Sequence, residues 1–285
     1  MSSTLHLLGG NGFLARHTVE ILFQHNIKMN IISRDQVDLS DSGAIKYLQG
    51  NIKPGDSLIF FAAKAPCKSS KDFFENIEMA RNVATALKNI KLNQFRYISS
   101  DAVYTNNADR ISENSQIGPD NLHGLMHLAR EEIFKEEIDC RVFGIYRPTL
   151  IFGPGDPHNS YGPNRFIREA LSGEDIKVVG NGEECRDHIY VKDVAKLIYM
   201  AYKSEHNGVL NLCSGNEMTF LEIAEKSQKL KKECKINFIQ RNGKMPHNGY
   251  RVFDVSLIHR LFPQFRFTSF HNYVDGTLFL EVSQP

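Results

Sequence analysis

Hydrophobic and polar positions follow two rhythms along the first half of the chain. Short apolar or β-branched runs, Leu5-His6-Leu7-Leu8, Met29-Asn30-Ile31-Ile32, Phe95-Arg96-Tyr97-Ile98-Ser99 and Cys140-Arg141-Val142-Phe143-Gly144-Ile145, predict strands. A fifth, Ser57-Leu58-Ile59-Phe60-Phe61-Ala62-Ala63, lacks polar alternation, as expected of a strand buried on both faces. Between the strands, apolar residues recur at helical spacing. One such segment carries Phe13, Leu14, Val19, Ile21, Leu22 and Phe23, and another starts behind a cap at Asp41 and runs to about Gly50. Two longer ones cover residues 71–91 and Leu122 to Glu137. Strand–helix alternation of this kind predicts an α/β fold with a parallel, doubly wound sheet.

Past Pro148 the rhythm changes. Gly153-Pro154-Gly155-Asp156-Pro157 and Tyr161-Gly162-Pro163 are rich in turn residues. Shorter elements follow: helices near 163–172, 193–203 and 219–230, and strands near 176–179 and 209–212. The expected division is a first domain over 1–150 and a smaller lobe over 151–285, with some segments of the latter returning to the sheet. Ligands of open α/β sheets bind beyond the carboxyl ends of the strands, so a site between the two is expected.

Composition changes this picture little. The chain has 285 residues, 41% hydrophobic and 24% charged, with a formal charge of +1, which gives no electrostatic reason to expect nucleic acid or an anionic membrane as partner. No apolar run approaches the roughly 20 residues of a membrane span. Met1-Ser2-Ser3-Thr4 lacks the basic region and apolar core of a signal peptide, and the five cysteines are scattered without metal-ligand spacing. Reduced thiols, a cytoplasmic location and no bound metal are the expectations.

Candidate chemistry starts at Gly9-Gly10-Asn11-Gly12, where the first strand passes directly into the first helix. Strand, glycine turn and helix in that order form the phosphate cradle of a dinucleotide-binding fold. Gly10 allows the tight turn, Gly12 lets the backbone approach a pyrophosphate, and the helix N-terminus offers free N–H groups.

Four segments together carry a resemblance. The glycine turn, Ser99-Ser100-Asp101-Ala102-Val103-Tyr104, Arg147-Pro148-Thr149-Leu150-Ile151-Phe152-Gly153-Pro154-Gly155, and Arg186-Asp187-His188-Ile189-Tyr190-Val191-Lys192-Asp193-Val194-Ala195 occur in the order seen in the extended short-chain dehydrogenase/reductases, the NAD(P)-dependent nucleotide-sugar epimerases, dehydratases and ketoreductases. The resemblance covers nearly the whole chain. It implies a Rossmann-type fold with a C-terminal substrate-binding lobe, a nucleoside-diphosphate sugar as substrate, and a homodimer built on the two long helices. Its cofactor contacts fall on Gly9, Gly10, Asn11, Gly12, Phe13, Leu14, Ser33, Arg34, Ala62 and Ala63, with Asp38-Leu39 resembling the adenine-contacting pair. Dinucleotide folds that take NAD carry an acid at the end of the second strand, whereas a nearby arginine accommodates the extra phosphate of NADP. Here the acid's position is Ser33, followed by Arg34, which favours NADP(H) over NAD(H). The alternative leaves Arg34 to solvent and gives the ribose to Asp35.

By the same resemblance Ser100 hydrogen-bonds the substrate oxygen. Asp101 matches the sugar 4,6-dehydratases, but their following glutamate is replaced by Ala102, which argues against dehydration. The larger departure lies at Leu122-His123-Gly124-Leu125-Met126-His127-Leu128-Ala129-Arg130-Glu131. Family members carry a catalytic Tyr and Lys four residues apart here; this chain has His123 and His127. Positions 123, 127 and 130 share a helical face. Histidine titrates near 6.5, so His123 can exchange a proton near neutrality while His127 contacts a ribose and Arg130 supplies a charge. Tyr104 and Asp101 are the other candidate donors.

In the substrate lobe, Arg186 and Arg251 resemble a diphosphate clamp, Asn164 stands where the nucleotide-contacting helix starts, and Asp193 reads as an N-cap. The expected reaction is hydride transfer at a ring carbon, C4 by resemblance, as 4-ketoreduction or epimerisation in surface-polysaccharide or deoxysugar biosynthesis. The alternative is a catalytically inactive or sensory dinucleotide-binding protein.

Overall fold

The computed structural model describes residues 3–106, 110–231 and 233–282. In chain order the elements are β1 (Leu5–Leu8), α1 (Phe13–Gln24), β2 (Met29–Ile32), α2 (Gly43–Asn51), β3 (Ser57–Phe60), α3 (Ser70–Leu87), β4 (Leu92–Ile98), α4 (Leu122–Glu137), β5 (Cys140–Pro148), β6 (Leu150–Phe152), α5 (Pro163–Ser172), β7 (Ile176–Val179), β8 (Cys185–Tyr190), α6 (Val191–Lys203), β9 (Gly208–Leu212), β10 (Glu217–Thr219), α7 (Phe220–Gln228), β11 (Ile236–Ile239), β12 (Tyr250–Arg251), α8 (Ser256–Leu261) and α9 (Phe270–Val282). They fall into two compact units.

The first unit holds residues 1–105, 113–148 and 195–212. Its sheet is six-stranded, in the order β2-β1-β3-β4-β5-β9, and every pair is parallel. The predicted doubly wound sheet is therefore the fold that forms. The connections change direction between β1 and β3, which opens a crevice beyond their carboxyl ends. One core cluster joins Leu8, Phe60, Phe95 and Tyr97 of the strands to Leu48, Val83, Leu87 and Phe134 of α2, α3 and α4. β1 and β3 are buried at every position, which accounts for their lack of exposed polar alternation, and the one imidazole in β1, His6, meets Asp56 at 3.1 Å. α3 opens on a capping box between Ser69 and Asp72. It ends four residues short of the expected 91, because the Ile90 amide turns back to the Leu87 carbonyl.

The second unit holds residues 106–112, 149–194 and 213–285. β8 lies between β10 and β12 and also pairs with β6, while β7 pairs with β11. Its core gathers Phe152, Phe166, Ile176, Val178, Phe220, Ile223 and Phe270. α6 starts at Val191, so Asp193 is inside the helix and not its N-cap. Its buried carboxylate accepts instead from the Thr268 amide at 2.5 Å and hydroxyl at 3.2 Å.

Candidate functional site

The glycine turn folds as a cradle. The Gly9 amide donates to the Ile32 carbonyl at 2.9 Å and the Gly12 amide to the Gly9 carbonyl at 3.1 Å. Gly9 has φ of +84°, and a Cβ there would stand 2.7 Å from the Ala62 backbone, so β1 and β3 approach at this residue as only glycine permits. Gly12 is the N-cap of α1 and gives its first turn no side-chain cap, which leaves helix N–H groups to meet an anion. A cavity of about 350 Å³ begins here, lined by Gly9, Asn11, Gly12, Ser33, Arg34, Asp38, Leu39 and the 61–65 segment after β3. The turn, the open amides and the cavity that runs from the glycines to Arg34 and Asp38 fit the diphosphate and adenosine half of a dinucleotide.

Arg34 stands at the rim, its side chain 77% exposed, and donates to the Asp38 carboxylate at 2.8 and 3.2 Å. Ser40, through its hydroxyl and amide, and then Arg34 hold the Asp38 carboxyl down at about 2. The Ser33 amide donates to Gln36 Oε1 at 2.9 Å, and Asp35 is exposed.

A second group of sequence-predicted residues meets beyond the carboxyl end of β4. Ser100 caps a short 3-10 turn over Asp101–Val103, its hydroxyl accepting from the Ala102 amide at 3.2 Å. α4 seats against that turn: Asn121 caps it through the Gly124 amide at 3.0 Å, and any Cβ at Gly124 would collide with the Ala102 carbonyl. His123 and His127 stand edge to face, ring centroids 4.7 Å apart. The Cys67 amide faces His123 Nδ1 at 3.4 Å, a long bond that favours the proton on Nε2. Burial pushes the His123 imidazole below its ordinary range, against a smaller opposite pull from Asp101.

His127 is buried, and its Nδ1 lies 2.7 Å from the Tyr97 hydroxyl. Burial raises the Tyr97 phenol, so that group stays protonated and donates, leaving the His127 proton on Nε2. Burial, then His123 and Arg130, drive the His127 imidazole well below 6.5. The structure thus brings the two histidines together but turns Arg130 inward. Its guanidinium stacks 4.6 Å from the centroid of Phe60 and 5.2 Å from that of Tyr97. Tyr104 does not suit proton transfer near neutrality: its hydroxyl donates to Asn211 Oδ1 at 2.8 Å, and burial pushes it up to about 12. The 123–131 pattern gave no sign of the partner of Glu131, which is buried and binds Arg147 at 2.5 and 2.9 Å.

In the second unit Arg186 and Arg251 are register partners on the parallel strands β8 and β12. Arg186 is buried and donates to Glu184 at 2.5 Å and to the Pro246 carbonyl at 2.9 Å. Glu184 also pairs with Arg241, so one carboxylate stands between two guanidinium groups. Neither Glu184 nor Arg241 stood out in the sequence. Arg251 donates to Asn106 Oδ1 at 3.1 Å. Asn164 is spent on its own turn, accepting from the Gly153 amide at 2.9 Å and donating to Asp156 at 3.0 Å. Among the described residues no group of three His, Cys, Asp or Glu could hold a metal ion, and no helix is long and apolar enough to cross a membrane.

The model of the NAD dependent epimerase/dehydratase family matches residues 5–213. Among curated proteins, the low-salt glycan biosynthesis protein Agl12 of Haloferax volcanii is 25% identical over 251 residues, spanning 76% of this chain and 79% of its own. The bovine dTDP-D-glucose 4,6-dehydratase is 24% identical over 257 residues, spanning 79% of this chain and 72% of its own. Among solved structures, the UDP-glucuronic acid 4-epimerase of Bacillus cereus, in complex with UDP-glucuronic acid and NAD, superposes with a TM-score of 0.80 at 20% identity, over 96% of this chain and 98% of that one. At that identity the likeness is one of fold.

Proposed function

The chain belongs to the NAD dependent epimerase/dehydratase family, and from that premise we propose that it transfers hydride at a ring carbon, C4, of a nucleoside-diphosphate sugar. The supporting observation is the paired arrangement of His123 and His127, each with a donor at Nδ1, on the helix that seats against the turn capped by Ser100. In this reading the cradle at Gly9, Gly10, Asn11 and Gly12, with Phe13 and Leu14 of α1 and Ala62 and Ala63 of β3's end, holds a nicotinamide dinucleotide. Ser33, Arg34, Asp38 and Leu39 surround its adenosine. When bound, that cofactor gives or takes the hydride. Arg34 is exposed at the rim, and turning its guanidinium from Asp38 to a 2′-phosphate would favour NADP(H) over NAD(H).

As the imidazolium, His123 gives its Nε2 proton to the substrate oxygen and is left as the Nδ1–H form with the long Cys67 contact released. The same form, its Nε2 bare, takes the proton in the reverse direction, and Ser100 donates a hydrogen bond to the same oxygen. His127 offers a neutral Nε2–H to a ribose hydroxyl. Asp101 contacts the sugar, Arg186 and Arg251 take the diphosphate, and Asn164 orders the turn beside the nucleotide. Ala102, in place of a second acid, leaves ketoreduction or epimerisation as the net reaction. A cytoplasmic enzyme of deoxysugar or surface-polysaccharide synthesis fits this chemistry. Exposed Phe74, Leu122 and Leu125 on α3 and α4 provide an apolar face for a second copy in a homodimer.

The experiment is a panel of UDP- and dTDP-linked sugars and 4-keto sugars incubated with each dinucleotide. Stoichiometric loss of NADPH marks a ketoreductase, and a new epimer without cofactor loss marks an epimerase. A second reading, a dinucleotide-binding protein without turnover, is favoured by Glu184, which already occupies the Arg186 fork. Binding of dinucleotide without conversion of any sugar nucleotide would select it.

A further inference from the structure

Arg130 is wholly buried on α4, yet no carboxylate among the described residues pairs with it. Its sequence neighbour Glu131 is committed to Arg147 and to the Ser99 hydroxyl. What meets the guanidinium instead is neutral. Nη2 donates to the Ala62 carbonyl at 2.6 Å, and Nη1 to Asn76 Oδ1 at 3.3 Å. The planar face lies against the rings of Phe60 and Tyr97. A buried cation without an anion is costly, and an apolar side chain of similar volume would pack there at lower cost. The charge therefore calls for an account beyond packing.

Two neighbours supply it. Tyr97 carries the charge's influence on one side, since its ring stacks on the guanidinium while its hydroxyl donates to His127 Nδ1. On the other side, Asn76 accepts from both Arg130 and the Lys64 amide, and returns a bond to the Lys64 carbonyl at 3.0 Å. Ala62 and Lys64 are wall residues of the dinucleotide cavity, and Ala62 is the residue against which Gly9 packs. One side chain thus meets the wall directly and the histidine through Tyr97.

The geometry points to Arg130 as a positioning residue: it carries the fixed positive charge behind His127 and clamps the Ala62–Lys64 wall of the cavity. It acts through His127 and the wall and does not itself touch substrate. The groups facing the His127 ring are Tyr97 from β4 and His123 and Arg130 from α4, with Asp101 facing His123 in turn. A guanidinium in that shell opposes a second proton on His127 and keeps the ring as an Nε2–H donor. The inference rests on α4 being the helix that serves the substrate in the proposed function.

Its test needs no turnover. Imidazole 15N spectra of the wild type across the acid range should show His127 as the Nε2–H tautomer, uncharged throughout the neutral range. In Arg130→Met the proton affinity of His127 should rise about tenfold, and NADPH, titrated by its own fluorescence, should bind about tenfold more weakly as the wall loosens. Arg130→Lys, which keeps the charge but only part of the hydrogen bonding, should leave the titration in place while affinity stays reduced. A wild-type His127 that titrates in the ordinary range or carries its proton on Nδ1 would overturn the inference, even if Arg130→Met does not fold. So would a folded Arg130→Met with unchanged titration and affinity. Absence of sugar-nucleotide turnover in the wild type would count against the proposed reaction alone.

Discussion

His123 holds its Nδ1 toward the Cys67 amide and its ring edge to face with His127, so its imidazolium form meets an N–H donor, a second ring and little water. The acid form is scarce at neutrality because burial lowers its proton affinity. Donation to a ketone oxygen should then slow as pH rises through a midpoint below about 6.5, while proton removal from a hydroxyl should quicken. Stopped-flow reduction of a 4-keto sugar against pH checks this; a flat profile to about pH 8 would exclude His123 as donor. Replacing His123 by Phe should cost about 100-fold or more in turnover with dinucleotide affinity kept. At the cavity rim, Arg34→Ala should weaken NADPH binding about tenfold and spare NADH, read by paired fluorescence titrations. The histidine pair was legible in the sequence because a spacing of four residues fixes neighbours on a helix. The direction of Arg130 was not, since a long side chain can leave the face its Cα defines. Nor were Glu184 and Arg241 legible, being 57 residues apart.

At the scale of elements, the position of His123 depends on how α4 seats. Gly124 lies against the Ala102 carbonyl with no room for a methyl group, so Gly124→Ala should destabilise by about 1–3 kcal/mol and displace His123 relative to Ser100. Removing the cap by Asn121→Ala should cost about 1 kcal/mol with less effect on turnover. Urea midpoints and turnover measured together separate the two; equal losses of activity per unit of stability would deny α4 a positioning role. The start of α4 at Leu122 was readable from its periodicity. Asp193 misled because an acid at a helix start reads as a cap, whereas here its partner, Thr268, comes from far along the chain. The short strands β6, β10 and β12 gave no signal, since two or three residues are too few to show a period.

Across the whole molecule, several histidines fold in the neutral form. Burial takes His188 down to about 3 and His127 well below its ordinary value, whereas in the unfolded chain each titrates near about 6.5. The unfolded state then binds more protons in mild acid, so stability is complete above about 6.5 and is lost as pH falls. Asp187, raised by burial, works in the opposite sense, which makes His188→Phe the cleaner comparison. The wild type should lose Tm below about pH 6 and the variant should lose less; parallel curves would rule out His188 as a source. The six-stranded architecture followed from strand–helix alternation, but its last strand did not come from the first half of the chain. β9 pairs with β5 only after the chain has passed through residues 149–194. During synthesis, the nine-residue β5 must therefore wait with one edge of backbone N–H and C=O groups unpaired. A fragment ending at residue 150 would keep that edge for good, and self-association through it, rather than a soluble half-enzyme, is what such a truncation should yield.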